Sequence, residues 1–245
     1  MLALHTHAAC LVPNGDFESG NSGFDSDYVY SADLQGEGKY NVGKNPRTYH
    51  PSWISMGDHT TGSGNFFIAN GSGNTSLSVW ETASPILVTQ PGTPYRFEAY
   101  VASVYGISAE TPGPSLSFQI GNGTDWVDLG LSHAFTAGQA GQWFFTYYDG
   151  LFNQPGTYYL RLLNNQVAAG GNDFGVDDIY FGLTASAPSI ESNPYDSDNV
   201  HEIPTDPVNP MVPEPLSAGL LTAGVVLLLL ARKTRHPCRC DFSNE

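Results

Sequence analysis

Carboxylates gather near the two ends of the main body of this sequence. Asp16 and Glu18 lie in Asn14-Gly15-Asp16-Phe17-Glu18, and Asp173, Asp177 and Asp178 lie in the run from Asn172 to Phe181. Hard cations such as calcium take carboxylate and carbonyl oxygens, and one site can draw them from distant segments. If the first and last strands are neighbours, these side chains converge; otherwise they are solvated residues of edge strands. A second chemistry is sugar binding, which needs aromatic faces flanked by polar groups. Tyr49, Trp53 and Trp126 are the candidate ligand-binding platforms, because they lie in or beside polar loops. Trp80 and Trp143 sit in strand-like runs and read as core. A third is acid–base chemistry. His59 follows Asp58 in a polar turn, which reads as a turn-stabilising hydrogen bond rather than a catalytic dyad. Asp125 and Asp128 form a carboxylate pair of the type glycosidases use, but spacing along the chain does not fix their separation. The sequence has no G-x-S-x-G elbow, no H-E-x-x-H, no phosphate-binding loop and no G-x-G-x-x-G before a helix. It reads as a non-enzymatic protein.

Short strands must position these residues. Candidates are Tyr28–Tyr30, Trp53–Met56, Phe66–Gly71, Leu77–Glu81, Ile86–Thr89, Tyr95–Ser103, Ser115–Ile120, Asp125–Leu129, Gln142–Tyr148, Gly156–Asn164 and Phe174–Phe181. Tyr95-Arg96-Phe97-Glu98-Ala99-Tyr100-Val101 alternates apolar with polar residues, as a half-buried antiparallel strand does. Asn-Gly and Pro-Gly pairs punctuate the runs as turns. Gly36 to Pro51 is Gly-rich and polar and reads as a long loop. No stretch of the body keeps a helical period. Many short strands separated by turns predict an all-β fold, an antiparallel jelly-roll β-sandwich.

Charge narrows the partners. Leu11 to Met211 holds 21 acidic against five basic residues. A body this acidic lacks the basic footprint that nucleic acid requires. The cysteines, Cys10, Cys238 and Cys240, all stand outside the body, so it has no disulfide framework. Cys238 and Cys240 with His236 make an incomplete metal site.

The flanks read as addresses. Residues 1–10 end in small residues, Ala8-Ala9, and read as the remnant of a signal peptide. Residues 184–211 are rich in Ser, Pro, Asn and Asp and read as a disordered linker. Then come Val212-Pro213-Glu214-Pro215, sixteen uncharged residues from Leu216 to Ala231, and Arg232-Lys233-Thr234-Arg235. The apolar run is short for a transmembrane helix but within the range of a thin or transient span. Basic residues beyond it would hold that end in the cytoplasm.

Two resemblances follow from these motifs. Residues 11–183, with the Asn14–Glu18 and Phe174–Phe181 ends, look like galactose-binding-like β-sandwiches, which include many carbohydrate-binding modules. The block Asp58 to Asn65, with Asn70-Gly71 and Val79-Trp80, resembles a subgroup found in exported bacterial surface proteins. This likeness implies a structural calcium held by Glu18 and Asp177, with Asp178 as the alternative. Residues 212–235 resemble the PEP-CTERM sorting signal. That likeness implies membrane insertion, recognition by an exosortase, cleavage near Val212-Pro213-Glu214-Pro215 and release to the cell envelope or outside. Residues 236–245 extend past the point where such signals stop. Together these features imply an exported envelope or matrix protein with a polysaccharide partner. The alternatives are a structural envelope protein that contacts other proteins and, further off, a glycan-acting hydrolase.

Overall fold

The computed structural model describes residues 10–188, apart from 91, 109–110, 130–132, 153–154 and 169. Residues 1–9, the linker beyond 188 and the sorting segment 212–235 lie outside the described residues. Among the described residues no helix is long and apolar enough to cross a membrane.

Among the described residues twelve strands form in order: β1 Phe24–Asp25, β2 Val29–Tyr30, β3 Lys39–Gly43, β4 Phe66–Asn70, β5 Ser78–Thr82, β6 Ile86–Val88, β7 Pro94–Ser103, β8 Leu116–Gly121, β9 Trp126–Asp128, β10 Trp143–Leu151, β11 Gly156–Asn164 and β12 Asp173–Leu183. They make two six-stranded sheets. The first runs β1-β5-β11-β8-β9, with β6 also paired to β11, and the second runs β10-β7-β12-β4-β3-β2. From β6 to β12 the chain crosses between the sheets at every connection except the β8–β9 pair. All pairs are antiparallel except β2 with β3, which is parallel.

The period of two decides what each sheet buries. Tyr95, Phe97, Ala99 and Val101 of β7 point inward with Phe174, Val176, Ile179 and Phe181 of β12. They meet Leu116, Phe118 and Ile120 of β8 and Leu160 and Leu162 of β11. Phe97 and Phe118 touch across the gap, their ring centroids 4.5 Å apart. Burial of each such aromatic is worth about 1.5–3 kcal/mol.

The Asn14–Glu18 motif closes the sandwich against the last strand. Leu11 N–H donates to the Phe181 carbonyl and Ile179 N–H to the Gly15 carbonyl, at 2.7 and 2.9 Å. A Cβ on Gly15 would collide with the Ile179 carbonyl, so only glycine admits this approach. Asn14 takes a positive φ of 52°, and its amide ties the following turn to the Gly20 and Ser22 carbonyls. Phe17, fully buried, packs on Phe24 and Phe67.

Two expectations about local structure need correction. Gly36–Pro51 is not all loop: it contains β3, whose Tyr40 and Val42 face the core. The polar residue between them, Asn41, is also buried, because its amide donates to the Ser31 carbonyl at 2.8 Å. Trp53–Met56 is not a strand. It belongs to the segment 31–65, whose parts on either side of β3 fold over the outer face of the second sheet and build a smaller core of Leu34, Trp53, Phe66, Ile68 and Val104.

Candidate functional site

The second sheet is only partly covered by segment 31–65. Its remaining outer face is a grid set by register. Asp149 of β10 stands opposite Arg96 of β7, and Tyr147 opposite Glu98. Tyr180 of β12 flanks Glu98 on the other side. Phe145 and Asp177 flank Tyr100 one step along. Alternation thus brings every polar residue of the Tyr95–Val101 run to one surface.

Arg96 organises the polar half of this face. Its Nε and Nη2 donate to the two oxygens of Asp149 at 2.7 and 2.6 Å, a bidentate fork. Its Nη1 reaches Glu98 Oε1 at 3.5 Å, and its guanidinium lies 4.8 Å from the Tyr147 ring centre. Glu98 is only 3% exposed. Burial raises its pKa to about 7, although Arg96 pulls the other way. The aromatic half is continuous: Tyr147 stacks with Phe145 at 5.6 Å, Phe145 tilts on Tyr100 at 5.1 Å, and Tyr100 stacks with His59 at 3.3 Å. Tyr147, Tyr100, Arg96 and Asp149 are partly open, while Phe145, Glu98 and Tyr180 lie beneath them.

The carboxylates from the two chain ends meet at the rim of this face. Asp177, fully buried, accepts from the backbone N–H of His59 and of Asp178, at 2.8 and 2.9 Å. Its pKa is raised by burial first, then by Asp178 and Asp58. Asp178 accepts from Thr60 Oγ1 and pairs with His59 Nδ1 at 2.7 Å. Asp58 accepts from Thr61 N–H and Gly64 N–H, and Glu18 Oε1 accepts from Asn65 N–H. A Cβ on Gly64 would displace Glu18 Oε1 from this contact.

This arrangement bears on the implied calcium. Glu18, Asp177 and Asp178 do share one neighbourhood. Their oxygens are engaged by N–H and O–H donors of the 58–65 loop. Among the described residues no group of three or more His, Cys, Asp or Glu side chains is placed to hold a metal ion. In this arrangement they act as hydrogen-bond acceptors that pin the loop. Adjacency in sequence also misled on His59, whose carboxylate partner is Asp178 and not Asp58.

The predicted aromatic platforms are not brought together. Trp53 is 1% exposed, with Nε1 donating to Asp173 Oδ2 at 3.0 Å, so it presents no face to a ligand. It lies in a loop yet is buried, because that loop is folded onto a sheet. Asp173 shares the burial, which raises its pKa to about 7. Tyr49 is half-buried against the same small core, its hydroxyl over Gly43, where any Cβ would strike it. Trp126 sits on the other sheet, with the Arg161 guanidinium 3.9 Å over its ring. The face centred on Tyr147, Glu98 and Arg96 was missed. Its signal was the polar set Arg96, Glu98 and Tyr100 on a strand whose alternate residues are all core.

No family model matches the chain, and no curated protein matches it. Solved structures give a resemblance of chain path. The enzymatically active domain of tailspike protein 4 from bacteriophage CBA120 aligns at 12% identity and a TM-score of 0.44, over 71% of this chain and 21% of that one. A family 16 carbohydrate-binding module aligns at 16% and 0.42, over 70% of this chain and 98% of that one. The tandem CBM22 modules of Paenibacillus barcinonensis Xyn10C align at 14% and 0.42, over 69% and 47%. The chain thus spans about a fifth of the tailspike domain and about half of the tandem module.

Proposed function

We propose that this is a non-enzymatic, exported envelope protein whose β-sandwich binds polysaccharide on the open face of its second sheet. One observation carries the reading. A partly open Tyr147 ring stands directly beside Arg96, Asp149 and Glu98, held in fixed geometry by register and by the bidentate ion pair. A sugar ring offers an apolar C–H face and a rim of hydroxyls, and it needs an aromatic surface with donors and acceptors alongside. Arg96 retains donor capacity beyond its pair, Asp149 is an acceptor, and buried Glu98 helps to fix Arg96 from below.

Export and sorting rest on the C-terminal order of residues 212–235 and on the cysteine-free, acidic body. In this reading the protein passes through an inner-membrane intermediate with its C-terminus in the cytoplasm. An exosortase then cuts near Val212-Pro213-Glu214-Pro215 and releases the sandwich to the envelope or the matrix outside. The test of ligand class is native electrophoresis in gels containing a neutral β-glucan, a xylan or an α-glucan. Retardation in at least one gel is expected. Unchanged mobility in all of them would favour a structural role through protein contacts.

A further inference from the structure

His59 is held more tightly than a loop residue needs, yet one of its ring nitrogens is left open. Consecutive aspartates of β12 grip it: Asp177 takes its backbone N–H, and Asp178 takes its ring at Nδ1. Asp178 reaches that position because β12 bulges there. The register with β7 shifts between Asp177 and Tyr180, and Asp178 adopts φ +49°, the left-handed region that few residues other than glycine enter. Thr60 Oγ1 lies 2.7 and 2.8 Å from the two oxygens of Asp178 and fixes the carboxylate from a second side. The imidazole is sandwiched as well, stacked on Tyr100 with 15° between the planes and met edge-on by Trp143 at 6.3 Å.

A carboxylate oxygen only accepts, so the proton of the neutral imidazole resides on Nδ1. Nε2 is then an acceptor. It has no protein partner among the described residues, and the His59 side chain is 31% exposed. Building on the polysaccharide reading above, we propose that His59 Nε2 is a preset acceptor for a sugar hydroxyl at the Tyr100 end of the aromatic row. Asp178 is the positioning residue that fixes its tautomer and aim. The bulge and the strained φ serve that placement.

A loop clip would use the same Asp178 contacts but would not need Nε2, and this separates the two roles. His59→Asn keeps a donor near the Nδ1 position and deletes Nε2. In the polysaccharide gel that retards the wild-type chain most, His59→Asn should bind about threefold to tenfold more weakly, the worth of one hydrogen bond. Its melting midpoint should stay close to wild type. Wild-type retardation by His59→Asn would overturn the assignment while leaving the polysaccharide reading intact. A wild-type chain that no gel retards would remove both. Should His59→Asn lose its fold, nitrogen NMR of the intact chain decides. The His59 ring should show the Nδ1–H tautomer, and its Nε2 resonance should move when the retarding polysaccharide is added. The opposite tautomer, or an unmoved Nε2, would overturn the proposal.

Discussion

The sandwich carries an arginine over an aromatic ring on each outer face, and the two pairs are built in opposite ways. On the second sheet, Arg96 is forked onto Asp149 and touches buried Glu98, so its guanidinium stands 4.8 Å from the centre of Tyr147. On the first sheet, Arg161 spends its Nε on the neutral Gln119 and lies 3.9 Å over Trp126. Burial lowers the Arg161 pKa, whereas Asp149 and Glu98 outweigh burial at Arg96 and raise it. Two nearby carboxylates hold the Arg96 guanidinium farther from its ring, at 4.8 Å, than Arg161 is from Trp126, at 3.9 Å, beside a row of further aromatic rings. Without an ion pair in hydrogen-bond reach, the cation settles on the indole and covers it. What separates the faces is contact rather than register: Asp149 lies within hydrogen-bond reach of Arg96, whereas Glu81, opposite Arg161 on β5, acts on it only through space.

The largest expected difference between them is in stability. Arg96→Ala leaves Glu98 and Asp149 side by side without their cation. It should cost about 2–4 kcal/mol, less than a fully buried pair because Asp149 is partly open. Arg161→Ala should cost about 1 kcal/mol or less, since it breaks a cation–aromatic contact and one neutral hydrogen bond. Urea denaturation of both variants checks this, and equal losses would erase the contrast.

Acid should act on the second sheet in a defined direction. Glu98 and Asp173 have folded-state pKa values of about 7, above their ordinary values of 4.5 and 3.8. Between those limits the folded state holds more protons than the unfolded chain, so stability falls as pH rises toward about 7 and levels off above it. Together they are expected to lower stability by several kcal/mol across that window, and Glu98→Gln should flatten part of the slope in melting curves. A slope unchanged in Glu98→Gln would place the titration elsewhere.

The smallest effect concerns the carboxylate junction at the rim. With Glu18, Asp58, Asp177 and Asp178 already bonded to the 58–65 loop, calcium or a chelator should leave the melting midpoint within about 1 °C. A clear rise with calcium would mean that these oxygens reorient around a cation.

The all-β class was legible because alternation is local: Tyr95–Val101 and Leu116–Ile120 announce their faces residue by residue. The meeting of the chain ends was legible as one of two alternatives, since Gly15 and the Asp177-Asp178 pair stand in short motifs at the start and the end of the body. What escaped depended on the second sheet's outer surface. β3 hid because Asn41 is polar yet buried by a single hydrogen bond to Ser31. Trp53 misled because a loop residue is assumed open, and segment 31–65 is folded down. Tyr147, Glu98 and Arg96 come from two strands, and only register makes them neighbours. The partnership of His59 with Asp178 spans 119 residues, and its bulge leaves no mark in the sequence.

The account turns on which face meets polysaccharide. The direct measurement is the mobility shift of Tyr147→Ala and Trp126→Ala in the gel that retards the wild-type chain. Tyr147→Ala should lose about tenfold or more in affinity, as expected for removing a stacking ring at a binding hot spot, while Trp126→Ala should run as wild type. Retention of binding by Tyr147→Ala together with its loss in Trp126→Ala would contradict the account and move the site to the first sheet.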